Sequence, residues 1–240
     1  GRGCIGVWDV NQGYRRIDEW ESGGIGPHDI KRLPGTDTLI VANGGIDTHP
    51  DTGRSKLNIA AMRPNLSYIK AGEVDEIAAL PPALHKNSIR HLSVRQNGDV
   101  AFGMQWQGDG PAPSLVGTHS RGKELTLMQA TVDELRPMAG YIGSIAYSTD
   151  GTKIAVTSPR GGLLHICDVA SQQLIEVSSI ADVSEVNNGS YQVVVIDTNG
   201  CTSSGNVEVQ GIKEAKALPQ ITGFGSVCTG ERITLSVPLY

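Results

Sequence analysis

Three strand–turn–strand units constrain this chain more than any other feature. Arg90-His91-Leu92-Ser93-Val94, the turn Asn97-Gly98-Asp99 and Val100 to Met104 form one. Ser144 to Ser148, Asp150-Gly151-Thr152 and Lys153 to Thr157 form a second; His28-Asp29-Ile30, Pro34-Gly35 and Thr38 to Ala42 form a third. β-branched runs interrupted by Asn-Gly or Asp-Gly signal hairpins, because glycine accepts the positive φ that tight turns need. His28, His91 and Ser144 each stand seven positions before their turn glycine, and the glycines lie 63 and then 53 residues apart. A WD-type blade repeats every ~40–45 residues, so loop insertions account for the longer interval.

The remaining strands are read around these units. Leu57 to Met62 and Val74 to Leu80 are expected as the third and fourth strands after the first hairpin, and Leu163 to Val169 follows the last. Gly6 to Val10 and Arg16 to Trp20 are two more, and Trp8-Asp9-Val10 matches Cys167-Asp168-Val169 as the third strand of a repeat. Leu125 to Leu135 reads either as a short helix or as a strand pair. A small antiparallel sheet cannot bury both faces alone, so repeated sheets stack radially. The expected fold is all-β, a partial β-propeller of three to four blades over residues 1–176.

Composition agrees with this. Thirty glycines, two phenylalanines and 39% hydrophobic residues suit a folded chain of many turns and aliphatic strands. A net charge of −5 argues against nucleic acid, whose phosphates require a basic surface. No run approaches the ~18 apolar residues of a transmembrane helix. The opening GRGCIGVWDV has neither the basic region nor the long apolar region of a signal peptide and no initiator Met, so a mature or internal fragment is expected. Cys4, Cys167, Cys201 and Cys228 form no CxxC pair. Cys4 and Cys167 sit in apolar strands and are expected to be buried thiols. Cys201 and Cys228 sit in Thr/Ser-rich surroundings where a disulfide is an option.

Few residues advertise chemistry. Asp47, His49 and Asp51 place carboxylate and imidazole ligands in one loop, a mixture that would take a divalent metal such as zinc, manganese or iron. The same residues also make good turn chemistry by bonding their own backbone. His28 and Asp29 would join that loop if the blade start lies near the channel, and are candidate ligand contacts. His85-Lys86-Asn87 with Arg90 and His91 form a basic-polar cluster that could bind an anionic group in the central channel, although a solvated loop explains Lys86 as well. His28 and His91 could equally serve as packed, hydrogen-bonded residues of the inner strands. Trp106, set between glutamines before Gly108-Asp109-Gly110, could stack on a ligand or cap a blade core. No Gly-x-Ser-x-Gly, P-loop or dinucleotide fingerprint is present. Thr118-His119-Ser120 makes Ser and His neighbours without implying a triad. Asp133-Glu134 reads more readily as an exposed loop or a helix start than as a catalytic carboxylate pair.

GIGPHDIKRLPGTDTLIVANGGIDTHPDTGR, LNIAAMRPNLSYI, LHKNSIRHLSVRQNGDVAFGMQWQGD and GSIAYSTDGTKIAVTSPRGG together resemble the bacterial propeller family known as domain of unknown function 1513, over about residues 1–175. The resemblance implies blades like those of YVTN and quinoprotein-amine-dehydrogenase propellers, export to the periplasm, and partners among periplasmic iron-uptake proteins. Beyond residue 176 the character changes. Asn188-Gly189-Ser190-Tyr191, the run from Gln192 to Asp197 and Asn199-Gly200-Cys201 resemble the closing hairpin of Ig-like or PKD-like adhesin modules, and Leu218 to Val237 resembles the opening of the next. This second resemblance implies a β-sandwich-like fragment over 187–240, joined to the propeller at 177–186 by a junction where unrelated parts meet. The expectation is therefore a binding or scaffold protein linked to iron uptake. The alternatives are a metal- or cofactor-dependent enzyme, such as an oxidoreductase or lactonase-like hydrolase acting at the channel, and adhesion through the C-terminal part. Exposed edge strands on an open half-propeller predict poor monomeric behaviour.

Overall fold

The computed structural model describes residues 2–47, 56, 58–179, 189–196 and 202–209. The chain divides into two compact units, Gly1–Ala181 and Asp182–Tyr240. The first begins with a two-stranded sheet, β1 (Cys4–Asp9) and β2 (Arg15–Glu21). Three four-stranded antiparallel meanders follow. The first comprises β3 (Pro27–Arg32), β4 (Leu39–Asn43), β5 (Asn65–Lys70) and β6 (Glu73–Ala79). The second comprises β7 (Asn87–Val94), β8 (Val100–Trp106), β9 (Val116–His119) and β10 (Thr126–Leu127). A four-residue helix, α1 (Val132–Leu135), precedes the third, which comprises β11 (Ser144–Tyr147), β12 (Lys153–Ser158), β13 (Leu163–Asp168) and β14 (Gln173–Ser179).

The first strands of successive meanders touch, β3 against β7 and β7 against β11. This is the stacking of propeller blades around their inner strands. Strand β8 explains why the stack holds. Its side chains alternate between two cores, as the two-residue strand period demands. Val100, Phe102 and Met104 join Ile40, Leu66, Tyr68 and Ile89 between the first two blades. Ala101 joins Leu115, Ile142, Ile154 and Val156 between the second and third. Both faces of the second blade are thus buried, and the all-β partial propeller follows from that pattern.

The structure corrects three details. Residues 59–61 form a 3-10 turn, and the third strand of the first blade is β5 instead of Leu57 to Met62. Cys167 is buried, but Cys4 is exposed. Strand alternation puts Cys4, Gly6 and Trp8 on the open face of a two-stranded sheet, with Ile5 and Val7 on the more protected one. The three hairpin turns also differ, the second being one residue shorter than the others and the first placing its glycine one residue earlier. They close at Leu33–Thr38, Arg95–Asp99 and Ser148–Lys153. Gly35 stands two residues after its closing residue, whereas Gly98 and Gly151 stand three after theirs. Counted along the ladders, Asp29 rather than His28 therefore matches His91 and Ser144.

The Asp182–Tyr240 unit contributes one antiparallel hairpin, β15 (Gly189–Ile196) with β16 (Thr202–Val209), in register from Gly189↔Val209 to Ile196↔Thr202. Cys201, Cys228, the run Leu218 to Val237 and most of the expected junction lie outside the described residues.

One buried group between the second and third blades predicts acid sensitivity. His165 is 1% exposed, and neither ring nitrogen has a hydrogen-bond partner. With Ser114, Met128 and Cys167 it lines a cavity of about 20 Å³, room for roughly one water. Burial lowers the His165 pKa below its ordinary 6.5, partly opposed by Glu134, and pushes the Cys167 thiol up to about 11. The unfolded chain thus binds the His165 proton more tightly than the fold does, and stability rises with pH in that range. The contribution is complete above about pH 6.5 and is lost as pH falls toward the depressed value. We expect the melting temperature to fall from pH 7 to 5, and to fall less in His165→Leu. Equal slopes in the two proteins would rule His165 out as the cause.

Candidate functional site

Antiparallel pairing gathers several functional candidates on one edge of the stack. Each blade's first strand starts opposite the end of its second: Pro27↔Asn43, Asn87↔Trp106 and Ser144↔Thr157. The loops leaving those second strands, beginning at residues 44, 107 and 159, rise from the same edge. His28, Asp29, Asp47 and Trp106 fall on these strand starts, loops or strand ends; His85 closes the turn before β7, and Arg90 and His91 lie in the middle of β7.

The inner-strand contact between β3 and β7 brings four candidates together. The rings of His28 and His91 meet edge to face with centroids 5.0 Å apart. Their strands carry matching irregularities, an extra residue at His28 in β3 and at Arg90 in β7, and such bulges turn side chains away from the regular ladder. His28 Nδ1 lies 3.0 Å from the Arg90 carbonyl. A carbonyl only accepts, so Nδ1 carries the proton and Nε2 keeps its lone pair. Burial lowers the pKa of His28, aided by the Arg90 charge; burial also lowers that of His91, aided by His28. Both shifts favour the neutral form of the rings. Arg90 is half-buried and its Nε has no acceptor; desolvation lowers its pKa, with Tyr141 opposing. Asp29 is committed to the fold. Its carboxylate accepts from the backbone N–H groups of Leu92 (2.9 Å) and Ile30 (2.8 Å), and Lys31 Nζ stands 3.3 Å away.

Other candidates separate from this group. His85 Nδ1 bonds the Pro82 carbonyl at 2.9 Å and closes a 3-10 turn. Asp47 donates its backbone N–H to Asn58 Oδ1 at 2.7 Å, while Asn58 Nδ2 donates to the Gly45 carbonyl at 2.9 Å. His49 and Asp51 lie outside the described residues. Among the described residues no three His, Cys, Asp or Glu side chains gather as a metal site.

Two apparent catalytic pairs dissolve into structure. His119 is buried, with Nδ1 2.6 Å from the Tyr68 hydroxyl and Nε2 2.8 Å from the Lys123 carbonyl. Both ring nitrogens are used, and the Ser120 hydroxyl donates instead to Asp99 Oδ1 at 2.6 Å. Glu134 accepts from the Thr131 N–H at 2.6 Å and from its hydroxyl at 2.8 Å, completing a capping box for α1. Asp133 pairs with Arg136 at 3.3 Å.

Trp106 lines a concavity on this edge. The cleft is about 480 Å³. Trp106 donates its backbone N–H to the Gly140 carbonyl at 2.8 Å, and its indole N–H is buried without an acceptor. Gly108 and Gly110 carry the loop past the indole, and a Cβ at Gly108 would strike the ring. Arg136 and Arg160 also line the cleft. Arg160 stacks over the Tyr141 ring, 4.4 Å from its centroid. Sequence reasoning missed Arg136, Tyr141 and Arg160. Arg136 and Tyr141 precede β11 and Arg160 follows β12, and the close packing of Gly161 on the Pro137 carbonyl sets these segments against each other.

Comparison with known proteins supplies family and fold. The model of the family described as "Protein of unknown function (DUF1513)" matches residues 1–221. The match runs past Ile175 and through the β15–β16 hairpin, the stretch where an unrelated adhesin-like part was expected. No curated protein matches the chain. Among solved structures, Kuenenia stuttgartiensis hydrazine synthase is similar at 16% identity with a TM-score of 0.51, over 69% of this chain and 46% of that one. A complex of KlAtg21 with the coiled-coil of AgAtg16 is similar at 12% identity and a TM-score of 0.46, over 85% of this chain and 57% of that one. This chain thus corresponds to about half the length of the structures it resembles. At these identities the likeness extends to the fold alone.

Proposed function

The chain belongs to the family of proteins of unknown function DUF1513, and from that footing we propose that it is a binding or scaffold protein whose recognition surface is the edge where the inner strands begin. The observation that carries this reading is the convergence there and along β7 of Arg90, whose Nε has no acceptor, two imidazoles and the Trp106 cleft. These groups offer hydrogen-bond donors, cationic charge and aromatic surface on rigid strands, which suits recognition. The polar side chains that would have suggested catalysis, His119, Ser120 and Glu134, are engaged in folding the chain. Export, and partnership with iron-uptake proteins, are part of the proposal through the family resemblance.

Metal analysis of the purified full chain tests it against the metal-dependent alternative. We expect no stoichiometric transition metal to remain after dialysis, and no change on replacing His49 by Ala. One equivalent of bound metal, lost in His49→Ala, would overturn the binding reading in favour of a metal centre at Asp47, His49 and Asp51.

A further inference from the structure

We propose that the cleft beside Trp106 binds a small organic anion with a flat apolar body. This deepens the binding reading above and rests on it. Three independent features of the cleft point the same way.

The first is charge. The lining residues include Arg136 and Arg160 but no carboxylate. Arg136 has an exposed partner in Asp133 at 3.3 Å, whereas Arg160 has no carboxylate partner among the described residues. Two guanidinium groups on a concavity whose lining holds no carboxylate make it electropositive, which favours an anion. Their proximity is built into the backbone. Gly161 packs so closely on the Pro137 carbonyl that a Cβ there would clash. The turn bearing Arg160 is thereby set against the segment bearing Arg136.

The second feature is the unmet donor. A buried indole N–H without an acceptor is costly, and native proteins rarely leave one so. A ligand oxygen reaches it only where the Gly108 backbone shifts off the ring, and would then satisfy it. The third is shape. Trp106, Pro111, Ala112, Val132 and Leu135 provide apolar walls, and the glycine-bearing loop brings backbone close to the indole without side chains filling the space. Planar guanidinium groups recognise carboxylates in bidentate fashion, while an aromatic wall favours a flat ligand body. A carboxylate attached to a fused ring is the simplest molecule that meets all three.

Isothermal titration of the full chain with 2-naphthoate, its neutral amide 2-naphthamide, and inorganic phosphate tests the assignment. We expect naphthoate to bind at least about tenfold more tightly than either of the others, the margin of one charge-assisted hydrogen bond. Arg160→Gln is expected to erase the preference for acid over amide at unchanged melting temperature, because the side chain is exposed. Trp106→Phe keeps the apolar wall and loses the N–H; it is expected to weaken naphthoate more than the amide. Absence of naphthoate binding, equal affinity for acid and amide, phosphate binding as tight as naphthoate, or a preference that survives Arg160→Gln would each overturn the proposal. The readout is independent of metal content. A metal-bearing protein that still prefers naphthoate fails only the general reading, and a metal-free protein indifferent to naphthoate fails only this inference.

Discussion

Replacing Asn43 by Leu is expected to lower the stability of the propeller unit by about 3 kcal/mol or more, a melting shift of roughly 10 °C. Asn43 is fully buried at the end of β4. Its Oδ1 accepts from the Ser22 hydroxyl at 2.8 Å. Its Nδ2 faces the Ser22 carbonyl at 2.9 Å and, at 3.0 Å each, Asn65 Oδ1 and Ser67 Oγ. Ser67 Oγ also donates to the Ser22 carbonyl, and Asn65 Nδ2 donates to the Gly23 carbonyl at 3.3 Å. Leucine has the same heavy-atom branching, is larger, and supplies none of these bonds. Several buried polar atoms would then be left unsatisfied at once, and low local polarity makes each of them costly. The network ties the exit of the β1–β2 sheet to the first blade. Hydrogen exchange should therefore show β1 and β2 losing protection before β7 and β8. A melting temperature within roughly 2 °C of the parent would mean that the network contributes little.

The same network explains where the sequence misleads. The hairpins β3–β4, β7–β8 and β11–β12 are legible because aliphatic alternation and a turn glycine agree. Strand β5 is not, because Asn65 and Ser67 occupy buried positions that a hydrophobic pattern reserves for aliphatic side chains. The neighbouring apolar run Leu57 to Met62 attracts the assignment instead, although Pro64 ends it and Ala60 and Ala61 have little strand preference. Strands β9 and β10, four and two residues long, are too short for a period-two signal to emerge.

Site residues were legible to the extent that they lie on inner strands. His28 and His91 do meet, but the equal count to the turn glycine conceals a difference in where that glycine stands in its turn. Their ladder positions differ by one residue, and it is the bulges at His28 and Arg90 that reorient the side chains. Trp106 stood out as an aromatic residue in a Gly/Gln-rich loop. Arg136 and Arg160 carry no such mark, since their approach depends on how closely the turn after β12 packs on the segment before β11. Long-range juxtaposition of this kind is set by packing, and packing is invisible to any local window.

Blade packing is itself testable through Phe102 and Gly117. The two residues stand directly opposite each other in the β8–β9 ladder. Phe102 is fully buried between the first two blades, and its ring lies over Gly117 so closely that a Cβ there would collide with it. Gly117 adopts no unusual φ, so its constraint is steric. Phe102→Ala is expected to cost about 4 kcal/mol through lost burial and the cavity left behind. Gly117→Ala should cost about 1–3 kcal/mol through overpacking. The two changes touch the same space, so they should not add. In a Phe102→Leu background the added methyl has room, and the cost of Gly117→Ala should shrink by more than about 0.5 kcal/mol, the limit of ordinary additivity. Denaturant melts of the four proteins of this cycle measure the coupling. Strict additivity would mean that Gly117 is required for some reason other than the Phe102 ring.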